Sequence, residues 1–348
     1  MNVRDYAEER RLSIKQLMDF TTCVNPLGPS TSAKTALRMA IKEIDIPADT
    51  KSRYLTRLIA RKEKIDEAHI VIGQGSSHLL YSALKASETM KVLIPGPVSR
   101  KFSRVVSRSN ATLKSLPFMG LHPFSIDIGE ITAAMDDVDA VILPYPHDMV
   151  GAAPSPEDLR VLISETGRLG KTLILDESLR DFTILPSPIN DVIASNHVII
   201  VRTFSVFHAL TGLPIGYAIG ATDLMERIRK CIFPIPINTL ATHAAVVSIR
   251  DTAHAIRTRT FINDEKSFLL KGLTSITDLS VRDTLCPFFV LRIEKERKAF
   301  EELFLRYRIL IDDFFEGKDG QFLRVPVKKH KWNARFLKTI RNAFGVYK

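Results

Sequence analysis

Three short segments carry residues suited to holding a small ligand, and each follows an apolar run. The first is Gly73-Gln-Gly-Ser-Ser77, between the run at 69–72 and an apolar helical segment at 78–85. A strand, a glycine turn and a helix that opens on serines present free backbone N–H groups to an anion. Such a Gly-Ser helix start occurs in many α/β turns, so alone it says little. The second is Asp176 and Glu177, which end the apolar run at 172–175. Carboxyl ends of parallel strands are where doubly wound folds place their ligand chemistry. The bland alternative for two such acids is a helix cap or a structural pair. The third segment, 201–220, joins two apolar runs through a turn holding Thr203, Ser205, Gly212 and Gly216.

The intervening sequence supplies elements to position them. Short apolar runs around Val71, Val92, Val141, Leu173 and Ile199 alternate with helical segments, which argues for an open, mostly parallel α/β sheet. Helices are expected over 31–44, 155–166 (opening on Ser-Pro-Glu-Asp), 222–231 and 297–306, with a long connecting helix over 240–270. Residues 1–19 show helical spacing with Leu12, Ile14, Leu17 and Met18 as contacts, and strands are expected at 288–293 and 322–327. The implied organisation is an N-terminal arm and helix (1–44), a large α/β domain (45–240), a connecting helix (241–265) and a small α+β domain (266–348).

Composition bounds the function. At 348 residues and 45% hydrophobic, the chain can bury a substantial core. No apolar stretch reaches the roughly 18 residues of a membrane span, and the charged N-terminus lacks the apolar core of a signal peptide. Three cysteines, Cys23, Cys231 and Cys286, are far apart and lack metal-ligand spacing, which fits a reducing cytoplasm. The net charge of +10 reads as a solvated basic face or a pocket for phosphorylated ligands. Its densest cluster, Lys328-Lys-His-Lys331, has only Trp332 beside it and no nucleic-acid motif.

Taken in order, these motifs resemble the fold-type I pyridoxal-phosphate (PLP) enzymes, class I/II aminotransferases, and among them the histidinol-phosphate aminotransferases and threonine-phosphate decarboxylases. Asp19-Phe-Thr-Thr-Cys-Val-Asn-Pro-Leu-Gly-Pro is similar to their Asp-Phe-Ser-x-Asn-x-Asn-Pro-Leu-Gly-Pro arm across the active-site mouth, with Asn25 at the second asparagine and Cys23 at the first. Arg53-Tyr54 resembles an Arg-Tyr-Pro segment whose tyrosine reaches the partner subunit's cofactor phosphate. Gly73, Gly75 and Ser76, with Ser77, match the phosphate-holding turn. Ser99 and Phe102 stand at two aromatic positions, so ring stacking is either lost or supplied by Phe102. Asp148 replaces an asparagine that donates to the cofactor's phenolic oxygen, and an ionised carboxylate cannot donate. Asp176 matches the acid that pairs with the pyridine nitrogen. Residues 233–241 resemble a Pro-Pro-Trp-x-Val-Asn-x-Leu-Ala segment. Arg324 matches the arginine that grips the substrate carboxylate, and Asp312 stands where relatives often have an arginine.

The frame Arg202-Thr-Phe-Ser-x-Phe207 is similar to Arg-Ser-Phe-Thr-Lys-Phe, yet Val206 stands at the Schiff-base lysine and Pro214 at the phosphate-neutralising arginine. Val206 can neither bind the aldehyde nor move a proton. Each lost charge contact removes roughly 1–3 kcal/mol, and about 1.4 kcal/mol is tenfold in affinity. His208, two residues on, reads as a packing or surface histidine. The resemblance implies a PLP-type fold with a seven-stranded, mostly parallel large domain and a homodimer with its sites at the interface. Three functions follow: a degenerate relative binding a small phosphorylated or carboxylate, amino-acid-like ligand; an enzyme using PLP or pyridoxamine phosphate without a lysine; and a non-catalytic subunit that forms a heterodimer with an active paralogue.

Overall fold

The computed structural model describes residues 3–118, 120, 126–232 and 235–345; Phe233 and Pro234, at the head of the 233–241 motif, lie outside them. The described chain divides into two compact units: 28–117 with 125–254, and 1–27 with 118–124 and 255–348. In chain order the strands are β1 (Met18–Asp19), β2 (Ile70–Gly73), β3 (Lys91–Pro95), β4 (Thr112–Leu116), β5 (Ala140–Pro144), β6 (Thr172–Asp176) and β7 (Val198–Thr203). There follow β8 (Gly216–Ile219), β9 (Val281–Asp283), β10 (Phe288–Ile293), β11 (Ile309–Leu310), β12 (Phe314–Gly317) and β13 (Gly320–Pro326).

The larger unit is built on a seven-stranded sheet in the order β2-β8-β7-β6-β5-β3-β4. Its pairings are parallel except those of β8, which runs antiparallel to β2 and β7. The strands are nearly continuous apolar runs because both faces are covered. Successive residues alternate faces. Leu173, Leu175, Val198 and Ile200 belong to one core, with Leu55 and Ile59 of helix Arg53–Glu63 and Leu159 of helix Pro156–Arg168. Ile174, Ile199 and Val201 belong to the other, with Leu79 and Leu80 of helix Gly75–Ala86, Phe102 of helix Arg100–Arg108 and Met225 of helix Thr222–Cys231. The open, mostly parallel sheet expected from the alternating pattern is therefore present, with the seven strands that the resemblance implies.

The smaller unit pairs β1 with β11 and holds an antiparallel sheet in the order β12-β13-β10-β9. Phe20, Phe289, Phe304 and Phe336 fill its core, with Leu269 and Leu273 of helix Thr252–Thr274. The expected helix over 240–270 is broken: one helix ends at Arg250, and Asp251 accepts the His254 N–H (2.9 Å), capping a second that begins at Thr252. The helix expected from 31 to 44 ends at Ala40 and tightens into a 3₁₀ turn, Ile41–Glu43. In residues 1–19 only Val3–Glu9 is α-helical; Met18 and Asp19 are drawn into strand pairing with Ile309 and Leu310, and Ile14 is exposed rather than packed. Among the described residues no helix is long and apolar enough to cross a membrane.

Two glycines of β8's turn give contrasting predictions. A Cβ on Gly216 would lie 2.4 Å from the Arg202 carbonyl oxygen, whereas one on Gly212 meets nothing within 4 Å. Urea unfolding is expected to show Gly216→Ala destabilised by about 1–3 kcal/mol and Gly212→Ala within about 0.5 kcal/mol of the parent.

Candidate active site

The carboxyl ends of β2, β3, β5, β6 and β7 lie along one edge of the large sheet, and residue alternation sorts their polar groups onto two faces. Asp176 shares the parity of Ile174. Its side chain is buried, and both oxygens are engaged: Oδ2 with the Lys101 ammonium at 2.7 Å and Oδ1 with the Ser178 N–H at 2.9 Å. Lys101 sits in the first turn of helix Arg100–Arg108, with its ammonium 4.3 Å from the centre of the Phe102 ring. Phe102 itself is fully buried in the core under that helix. A ring enclosed on both faces by protein has none to offer a ligand, so Phe102 is a core residue in this structure.

The turn after β2 meets the turn before β8. Gly75 has φ +81°, a left-handed value suited to glycine, and a Cβ there would lie 3.5 Å from Pro214 Cβ. Gly216 approaches Gly75 so closely that its own Cβ would be 3.4 Å from Gly75 Cα. Helix Gly75–Ala86 starts there without a side-chain cap, leaving the N–H groups of its first turn unused by the helix. Thr203 Oγ1 accepts the Ser205 N–H (3.1 Å), donates to Ser205 Oγ (3.1 Å) and lies 3.3 Å from the Ile215 carbonyl. Val206 follows, half-buried in a bend. Gly75, Thr203 and Ser205 are thus gathered around the β7–β8 turn, in which Val206 follows Ser205. Beyond the helix start, Ser77, His78, Tyr81, Lys101 and Arg104 help line a cavity of about 690 Å³. Burial holds the His78 imidazole below its ordinary pKa, and its Nδ1 accepts the Gln74 N–H.

On the opposite face, with the parity of Leu175 and Ile200, lies a buried ionic cluster. Arg202 donates from Nε to Glu177 (2.7 Å), from Nη1 to Glu63 (2.7 Å) and Tyr217 (3.1 Å), and from Nη2 to Ser187 (2.9 Å). Ser187 in turn donates to the other Glu177 oxygen at 2.6 Å. Burial opposes the guanidinium charge, but Tyr217, Glu177 and Glu63 outweigh it and push the pKa of Arg202 up. Burial, and then Glu63, raises the Tyr217 phenol, which stays a neutral donor. His208 is buried between Phe204 and Phe207, each 5.2 Å away by ring centres, as a packing histidine would be.

The remaining residues are placed as follows. Asp148 Oδ1 lies 3.9 Å from His147 Nδ1. That nitrogen accepts the Met149 N–H while Nε2 faces the Pro95 carbonyl at 3.0 Å, contacts that a tautomer with its proton on Nε2 satisfies. Tyr54 is exposed, with its phenol held by Arg250 at 2.6 Å. In the smaller unit, Asn25 is buried, donates to Thr258 at 2.9 Å and accepts the Leu27 N–H at 3.0 Å, so its amide holds the arm's turn. Arg324 is buried and paired with Asp313 through Nε (3.0 Å) and Nη2, and Asp312 pairs with Arg297 at 3.1 Å. Lys328 donates to the Thr22 carbonyl at 2.5 Å, and burial presses its ammonium below the ordinary lysine range. Among the described residues no cluster of histidine, cysteine and acids could hold a metal ion. Sequence reasoning missed Lys101, Glu63 and Ser187. Lys101's one local signal is a cation in a helix's first turn, where the dipole disfavours it.

Residues 15–340 match the sequence profile of the class I and II aminotransferases. The threonine-phosphate decarboxylase of Salmonella typhimurium is 26% identical over 345 residues, 98% of this chain and 95% of that protein. The histidinol-phosphate aminotransferase of Moorella thermoacetica is 24% identical over 341 residues, 96% and 87% of the two chains. The fold matches that of Sinorhizobium meliloti histidinol-phosphate aminotransferase, solved with pyridoxal-5'-phosphate, at a TM-score of 0.88 and 18% identity over 99% of this chain and 95% of that one. It also matches L-threonine-O-3-phosphate decarboxylase of Porphyromonas gingivalis, at 0.82 and 22% over 94% and 100%.

Two predictions follow from the buried charges. Arg202→Met leaves Glu177 and Glu63 without their cation and is expected to lower stability by about 3–5 kcal/mol in denaturant unfolding. For Lys328 the folded-state pKa lies below the unfolded value of 10.5. Between the two the unfolded chain binds more protons, so the stability of wild type relative to Lys328→Met should rise with pH up to the unfolded value. Paired urea titrations across alkaline pH measure that slope.

Proposed function

From a chain that belongs to the class I and II aminotransferase family, we propose a protein that binds a small phosphorylated, amino-acid-like ligand and does not carry out lysine-linked PLP chemistry. The observation that carries this reading is Val206, which directly follows the hydrogen-bonded Thr203 and Ser205 hydroxyls in the β7–β8 turn. Its isopropyl group offers no nucleophile and no base. The neighbouring groups fit PLP poorly as well. Pro214, not a cation, packs toward Gly75 at the helix start, and both oxygens of Asp176 are engaged by Lys101 and the Ser178 N–H. No catalytic step is therefore derived through that cofactor.

The phosphate-binding features fare better. The free N–H groups of the helix start suit a phosphate, and the Thr203 and Ser205 hydroxyls lie by the turn that packs on it. Threonine-phosphate decarboxylase and histidinol-phosphate aminotransferase, among its relatives, are both named for a phosphate ester, which supports a phosphorylated ligand. The reading includes a homodimer in the cytoplasm, with exposed Tyr54 offered to the partner subunit. In the smaller unit Arg324 is the group proposed for a carboxylate, which would have to compete with Asp313.

Titration with O-phosphothreonine, inorganic phosphate and PLP, followed by thermal shift and visible absorbance, tests this. Wild type is expected to bind O-phosphothreonine and inorganic phosphate, to bind PLP only weakly, and to show no absorbance band of lysine-linked PLP. Ser76→Ala should weaken phosphate binding by about two- to tenfold, the worth of one hydrogen bond. Tight binding of PLP or pyridoxamine phosphate by wild type would instead favour an enzyme that uses the cofactor without a lysine.

A further inference from the structure

We propose that Lys101 is the resident cation of Asp176 and a specificity-determining residue: it denies that carboxylate to a ligand's protonated ring nitrogen. The inference deepens the non-PLP reading above and rests on it. Its basis is the geometry around one acid. The Asp176 side chain is 1% exposed and that of Lys101 25%, and they meet at 2.7 Å. The second Asp176 oxygen already accepts the Ser178 N–H. A carboxylate so enclosed has one strong cation partner, and here the chain provides it.

The position of Lys101 argues that the pair is more than a chance surface contact. Arg100 and Lys101 open their helix with no acid in its first turn. A helix N-terminus carries partial positive charge and disfavours cations by several tenths of a kcal/mol or more. Asp176, on a neighbouring element, offsets that repulsion. The ammonium also lies 4.3 Å from the centre of Phe102, and that ring is fixed by complete burial. Two contacts therefore hold the lysine head, an acid and an aromatic ring. Lys101 borders the cavity of about 690 Å³ beside Ser77, His78 and Arg104, and among the described residues no acidic one lines that cavity. A cationic ring reaching Asp176 would have to displace Lys101 into surroundings that already hold Arg104 and Arg108. An anion gains from the same arrangement.

Pyridoxamine phosphate is the probe, because it carries the ring and the phosphate but cannot link covalently to a lysine. Calorimetric titration would compare wild type, Lys101→Ala, Lys101→Met and Lys101→Arg, with inorganic phosphate titrated into each. Pyridoxamine phosphate should bind the Ala and Met variants at least tenfold tighter than wild type, and the Arg variant no tighter. Phosphate should gain nothing in any variant. The saturating probe should also raise the melting temperature of the Ala and Met variants more than that of wild type, as a ring cation replaces the lost ammonium. The Met variant keeps the stem's packing should the Ala variant fail to fold. Equal affinities for pyridoxamine phosphate across wild type, Ala and Met overturn the proposal, as does an equal gain for phosphate. Tight binding by wild type defeats the non-PLP reading, whereas the Lys101 proposal stands or falls on the ratio between variants.

Discussion

A guanidinium taken out of water must find its counter-charges inside the protein, and Arg202 finds two. Its pairs with Glu177 and Glu63 join the end of β7 to the end of β6 and to the last turn of helix Arg53–Glu63. Tyr217 and Ser187 take further donors, so β8 and the segment after β6 join the same cluster. Desolvating these ions costs several kcal/mol each, and only near-complete pairing offsets that cost. The consequence is geometric. Strand ends that bear the candidate site cannot shift without exposing or unpairing a buried charge.

That cluster lies on one face of the sheet, and the candidate ligand site lies on the other. The division follows from the two-residue period of a strand. Glu177 and Asp176 are neighbours in sequence but point to opposite sides, as do Arg202 and Thr203. One member of each pair braces the scaffold while the other faces helices Gly75–Ala86 and Arg100–Arg108. Substitutions on the second face therefore need not disturb the ionic cluster on the first. This separation allows a chain to retain the architecture of the class I and II aminotransferases while residues on the second face vary.

The site's electrostatics also differ from what a list of its acids suggests. Asp176 has a lysine at 2.7 Å, and Asp148 lies 3.9 Å from His147 Nδ1. The first acid is paired by the protein itself, and the second lies close to the end of β5. Neither arrangement favours an electron-poor ring held from both sides. Both are compatible with a ligand bound chiefly through its phosphate at the helix start.

Local pattern by itself determined the sheet and most helices, because buried parallel strands must be apolar throughout and helix caps have few chemical solutions. Ser155 before Pro156 and the run at 172–175 are examples. It also determined that position 206 has no amine, since residue identity needs no fold. Boundaries set by competition between distant elements were not legible: β1 pairs with a strand nearly 300 residues on, and Asp251 breaks what looks like one helix. The same holds for the partners of charged groups. Lys101 and Asp176, and likewise Arg202 and Glu63, are far apart in sequence, and only strand order and side-chain parity bring them together. Phe102 illustrates the point from the other side: its type suited stacking on a ligand, and burial in the core decided otherwise. Identity sets what a side chain can do, but whether it does so depends on the dielectric and the neighbours that the tertiary structure supplies.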